Sequence, residues 1–195
     1  MNSKSFFVKT DRFYSAHHAL LRIAEDNLLK ATTKEPGWFD SQFTSIALSS
    51  LIIEAFCNAV GQKVVNKWTD FESASPLAKL RLICEHLDID YDTSIEPWSS
   101  LVWLIKIRNL IAHPKAEPIK HEAVISEKEY AKQRYRDIPK SKLEKEITLG
   151  NARKSLRAVN QMIDLFCEKL TPEQNFGISG NMWSSSAKKH QVEAD

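Results

Sequence analysis

Between Leu149 and Leu170 the apolar residues Leu149, Ala152, Leu156, Val159, Ile163, Phe166 and Leu170 return at alternating steps of three and four. That period is helical, and it gathers these side chains into one narrow seam that must pack against helices of this chain or of a second copy. A strand, with its period of two, cannot bury such a pattern. Glycine usage agrees: only five glycines in 195 residues is too few for a turn-rich β fold. An apolar fraction of 43% supplies a real core, and the length fits one domain with appendages.

The remaining helices follow from the same reading. Residues 11–31 place Phe13, His17, Leu20, Leu21, Ala24 and Leu28 on one face, before "KEPGWFD" breaks the pattern with a Pro-Gly turn. Residues 41–68 are apolar around most of a helix, which predicts a central position. Ser75 and Pro76 form an N-cap and first-turn pair that opens a third helix through about Leu87. "TSIE", Thr93 to Glu96, has capping-box spacing and predicts a fourth helix running to His113, where Pro114 ends it. Residues 115–146 mix both charges, and "SEKEYAKQRYR" within them predicts an exposed helix. The expected architecture is an all-α bundle of about five helices over residues 11–170, with 115–146 as a charged insertion before the last helix. Flexible ends are expected at 1–10 and 171–195.

Several classes of function are disfavoured at once. A net charge of +2 gives no global field for gripping long nucleic acid, although it leaves room for a local patch. Cys57, Cys84 and Cys167 lie far apart in apolar patterns, which reads as reduced core residues rather than a disulfide framework or zinc site. The N-terminal apolar run is too short for a secretory signal, and no stretch is read as long enough to cross a bilayer. A soluble cytoplasmic protein without membrane contact is therefore expected. No histidine or carboxylate cluster has ligand spacing, so neither metal nor cofactor is expected.

One line of the fourth helix breaks the pattern. Leu101, Leu104, Ile105 and Arg108 lie at i, i+3, i+4 and i+7, so a guanidinium leaves the face of three large aliphatics. Such a charge must reach water or find a partner. Capping the helix C-terminus is one adequate explanation. The other lies in the second helix, where Ser50, Glu54 and Asn58 form a polar stripe at steps of four. That stripe is either the wet side of its helix, the reading preferred for Ser50, or a seam that sets Glu54 across from Arg108.

The segment "IRNLIAHP" resembles the signature of the HEPN superfamily, small helical bundles marked by an arginine, four to six residues, then a histidine, often with asparagine after the arginine. Arg108, Asn109 and His113 match that pattern, and "LSSLIIEAFCNAV" is similar to the family's earlier helix, whose acidic or polar residue would be Glu54, with Asn58 one turn on. The same spacing occurs from Arg12 to His17 and from Arg81 to His86. Neither copy has asparagine after the arginine or proline after the histidine. Inside a helix a five-residue offset turns the second side chain about 140° from the first. At Arg108 the helix ends just before the histidine, which frees His113 to swing back.

The resemblance implies a metal-independent endoribonuclease working as a homodimer, with motifs from two copies at a shared cleft. The RNA 2′-hydroxyl would attack the adjacent phosphate and leave a 2′,3′-cyclic phosphate. An imidazole such as that of His113 can take or give a proton near neutral pH. Arg108 would stabilise the phosphate oxygens. Asn109 would orient His113 or a phosphate oxygen, Glu54 would hold Arg108 in its rotamer, and Lys106 and Lys115 would add local positive potential. A toxin-like or defence and stress role follows from the same resemblance, with an antitoxin as partner. The alternative is a non-catalytic dimerisation or RNA-binding module, or the partner of a nucleotidyltransferase-type protein.

Overall fold

The computed structural model describes residues 5–132, 139–180 and 182–190. In chain order the elements are β1 (Ser5–Phe13), α1 (Ala16–Thr32), α2 (Trp38–Val64), a 3-10 turn (Trp68–Phe71), α3 (Pro76–His86) and α4 (Trp98–Ala112). The one-turn helices α5 (Glu127–Tyr130) and α6 (Lys142–Glu146) follow, then α7 (Leu149–Lys169), the short α8 (Pro172–Asn175) and β2 (Met182–His190). The fold is an all-α bundle: α1, α2, α3, α4 and α7 build it, and the only sheet among the described residues has two strands.

Helix α2 occupies the centre and touches α1, α3, α4 and α7. Its Ile46, Ile52, Ile53, Phe56, Cys57 and Val60 are fully buried, as a helix apolar on most sides requires. At 27 residues it is long and apolar enough to cross a membrane by length and composition, which corrects the expectation that no stretch is. Half of its most apolar stretch is buried within the bundle. The α7 seam packs within this chain: Ala152, Leu156, Val159, Phe166 and Leu170 are buried, and Phe166 meets Phe56 with ring centroids 5.7 Å apart. The cysteines are unpaired thiols, Cys57 and Cys84 buried and Cys167 half-buried.

Helix boundaries depart from expectation for local reasons. Ser75 caps α3 as read, its side chain accepting from Ala78 N at 3.3 Å. The fourth helix begins at Trp98 and not at Thr93. Glu96 precedes Pro97, and a residue before proline is pushed out of the α region. Asp92 instead folds a turn, accepting from Ser94 N at 2.8 Å and Ser94 Oγ at 2.7 Å, while Glu96 accepts from Ser100 Oγ. Of the exposed helix expected in "SEKEYAKQRYR", Glu127–Tyr130 is the helical part among the described residues, opened by a capping box between Ser126 and Glu129. Residues 133–138 lie outside the described residues.

The two ends also differ from the flexible tails expected. β1 and β2 pair antiparallel from Ser5↔His190 to Phe13↔Met182, so α1 starts at Ala16 and not at residue 11. His17 fastens this ribbon's approach to the bundle. Its ring is buried, Nε2 donates to the Ile178 carbonyl at 3.0 Å, and Nδ1 accepts from Ser15 Oγ at 2.6 Å. Gly177 sits beside it with a φ of +76°, and a Cβ there would overlap the Phe13 ring. Residues 1–4, 181 and 191–195 of the expected tails lie outside the described residues.

Candidate functional site

Ser50, Glu54 and Asn58 are set along one line of α2 by their spacing of four. Ser50 is buried and donates its hydroxyl to the Ala47 carbonyl at 2.6 Å, which corrects its reading as the wet side. Glu54, one turn on, uses both carboxylate oxygens. Oε2 accepts from Arg108 Nη2 of α4 at 3.1 Å, and Oε1 accepts from Lys79 Nζ of α3 at 3.1 Å. Three helices therefore meet at one carboxylate. Lys79 is 1% exposed, whereas the side chains of Glu54 and Arg108 are 29% and 30% exposed. The arrangement runs from a sealed ammonium to a guanidinium at the surface.

Around this cluster the chemistry is apolar. Burial pushes the Cys57 thiol far up, with Cys84 and the Glu54 charge adding to the rise and Lys79 opposing it. Burial likewise pushes Cys84 up to about 12. Neither thiol ionises near neutral pH, so the charges at the cluster are those of Lys79, Glu54 and Arg108. Asn58 Oδ1 is buried without a hydrogen-bond partner among the described residues.

At the surface, Arg108 Nη1 also donates to Asn109 Oδ1 at 3.4 Å. The remaining guanidinium donors have no protein acceptor among the described residues. Lys106 is exposed on α4. His113 closes the helix as its C-cap, with φ −128° and ψ 56°, its backbone N–H bonded to Asn109 O. Its exposed imidazole lines a groove of about 580 Å³ together with Leu110, Pro114, Lys115, Pro118, Lys142 and Leu143.

The charged insertion forms the far wall of that groove. Lys142 N donates to Glu117 Oε2 at 3.3 Å, which folds the segment after Pro114 against α6. Glu146 then ties α6 back to α4 by accepting from Trp103 Nε1 at 3.1 Å, and its backbone carbonyl accepts from Asn151 Nδ2 at 2.7 Å. The segment 115–146 is thus folded on itself and tied through Glu146 to the middle of α4. Arg108 does not line the groove. Leu110, two residues on, leaves the helix about 160° round from Arg108. No hydrogen bond joins Arg108 to His113 among the described residues. Within a single chain the guanidinium and the imidazole thus share neither this groove nor a hydrogen bond among the described residues.

Of the two readings left open for the stripe, the one that sets Glu54 across from Arg108 is found, and the two are in contact. Sequence reading missed Lys79. The signal was present, because Lys79 lies three residues after Pro76 and four before Ile83, both buried. It is a cation on an apolar line, as Arg108 is. The other two copies of the spacing do not form a site: His17 is taken up by Ser15 and Ile178, and exposed His86 bonds the Leu82 carbonyl in its own helix. Among the described residues no three His, Cys, Asp or Glu side chains are grouped to hold a metal ion.

No family model, curated protein or solved structure matches this chain.

Proposed function

We propose that this protein is a metal-independent endoribonuclease of the HEPN kind, acting in the cytoplasm as a homodimer. One observation carries the reading. Arg108 is held by Glu54 through one edge of its guanidinium while the rest faces solvent, within a turn and a half of an exposed histidine at the helix end. A planar cation fixed in this way can take a phosphate without reordering its own side chain.

The reaction would run as an internal transesterification. An imidazole removes the proton of the 2′-hydroxyl, and that oxygen bonds to phosphorus. The bond from phosphorus to the 5′-oxygen breaks, and the leaving oxygen takes a proton from an imidazolium. The products are a 2′,3′-cyclic phosphate and a free 5′-hydroxyl. Arg108 offsets the charge on the equatorial oxygens, Asn109 fixes the guanidinium edge, and Lys106 and Lys115 raise local positive potential. Because guanidinium and imidazole share no groove or hydrogen bond within one chain, Arg108 of one copy and His113 of the other would complete each site. A toxin or defence effector restrained by an antitoxin is the setting that fits such an activity.

A second reading has its own support. The missing contact between Arg108 and His113 suits a non-catalytic dimerisation or RNA-binding module, or a partner of a nucleotidyltransferase-type protein, in which Arg108 serves the fold. Incubating the purified protein with mixed cellular RNA in chelator, beside Arg108→Ala and His113→Ala, decides between them. The nuclease reading expects cyclic-phosphate ends from the native protein and none from either variant. Intact RNA throughout, or cleavage equal in all three, rejects it.

A further inference from the structure

We infer that Lys79, which is sealed from any ligand, sets the charge of the Arg108 site through Glu54 and leaves one uncompensated positive charge for an RNA phosphate. The inference rests on Arg108 being the phosphate-binding group. Its ground is the shared carboxylate: Lys79 Nζ and Arg108 Nη2 each lie 3.1 Å from a different oxygen of Glu54. One negative charge faces two positive ones, and the cluster sums to +1. Without Lys79, the Glu54–Arg108 pair would sum to zero and would draw an anion weakly.

Packing alone does not call for a lysine there, because the tie between α3 and the Glu54 carboxylate is its one polar contact among the described residues. Lys79 is 1% exposed and neighbours Leu80, with Pro76 and Ile83 on the same helical line, all buried. An apolar side chain would fill that position without desolvating a charge. The cysteines at the cluster stay protonated and add no charge. A surface lysine could supply potential too, but salt would screen it, whereas a charge inside the low-dielectric interior acts on its neighbour with less screening. Lys79 is thus a positioning residue: it holds Glu54 and, through it, both the rotamer and the net charge that Arg108 presents.

The test uses a fluorescent single-stranded RNA oligonucleotide fluorinated at every 2′ position, which binds without being cleaved. Affinity is measured against salt for the native protein, Arg108→Ala, Lys79→Met, Lys79→Arg and the double variant Lys79→Met with Glu54→Gln. Lys79→Met should bind about tenfold more weakly. Its plot of log affinity against log salt should be shallower by about 0.7. Lys79→Arg keeps both the sum of +1 and the Glu54 contact and should regain native affinity and slope. The double variant restores the sum but gives up the carboxylate that holds Arg108, and should regain the native slope. If Arg108→Ala binds weakly but Lys79→Met binds as the native protein does, the inference fails and the phosphate reading stands. If Arg108→Ala binds as the native protein does, the phosphate reading fails and takes the inference with it. A weak Lys79→Met whose salt slope the double variant does not restore assigns Lys79 to shape alone and overturns the charge role. Should Lys79→Met not fold, the double variant decides by its salt slope, because it strands no charge: the native slope supports the inference and a slope shallower by about 0.7 overturns it.

Discussion

Glu54 Oε2 accepts from Arg108 Nη2 at 3.1 Å, and this contact spans 54 residues of chain to join the central helix to the end of α4. The same carboxylate holds a buried lysine, so the two partners of the contact are not equivalent to the fold.

That asymmetry is measurable by denaturant unfolding. Arg108→Ala leaves Glu54 paired with Lys79 and should cost no more than about 1 kcal/mol, the range for a partly exposed pair. Glu54→Ala strands Lys79 inside the bundle and should cost about 3 kcal/mol. Equal losses would show that Lys79 finds another acceptor.

His113→Ala should separate stability from activity. The imidazole is exposed and makes no side-chain hydrogen bond among the described residues, so the unfolding free energy should change by less than about 0.5 kcal/mol. RNA cleavage should fall by roughly 10²–10⁴-fold, the contribution of a positioned acid or base.

Mixing the two inactive variants tests where the site is assembled. After exchange of subunits, Arg108→Ala and His113→Ala should together regain about a quarter of native cleavage, since half the dimers carry one complete pair. A site built within one chain predicts no recovery.

Acid should weaken the anchorage of the terminal ribbon. Burial, with His18 alongside, lowers the His17 pKa from 6.5 to about 4, against the raising effect of its bond to Ile178. Between those values the unfolded chain takes a proton that the folded one refuses. Stability is thus full above the unfolded pKa and falls as pH drops toward 4, by up to about 1.4 kcal/mol per pH unit. Unfolding midpoints of the native protein and His17→Gln between pH 7 and pH 4 should show this slope only in the former.

Gly61→Ala addresses the end of the central helix. A Cβ at Gly61 would overlap the six-membered ring of Trp68, which is 4% exposed and cannot swing into solvent. Overpacking of this kind costs about 1–3 kcal/mol, despite the better helix propensity of alanine. A raised melting temperature would contradict the close approach.

The parts legible in the sequence were those governed by period and by local rules. The α7 seam, the apolar α2 and the stop at Pro114 follow from spacing and proline sterics, and the pairing of Glu54 with Arg108 was one of two readings that their places in the helices allowed. The start of α4 was legible too, had the proline rule applied after His113 also been applied before Pro97. The β1–β2 ribbon was not. "MWSSSAKKH" has no alternation to mark a buried face, and its register depends on a partner strand more than 160 residues away. Nor could spacing reveal which side of α4 the groove opens on, because that is fixed by the fold-back from Glu117 to Lys142.

The central place of α2 has a consequence for how the molecule breathes. Its buried line from Ile46 to Val60 packs under α1, α3, α4 and α7, so the amides there trade hydrogen for deuterium only when the bundle opens. The strand-free run from Lys115 to Ile125, exposed throughout, trades within the dead time of such an experiment. The wall of the His113 groove and the helix that anchors Arg108 thus sit at opposite ends of the protein's ladder of opening energies, so the groove can reshape itself around a guest while the charge beside it stays still.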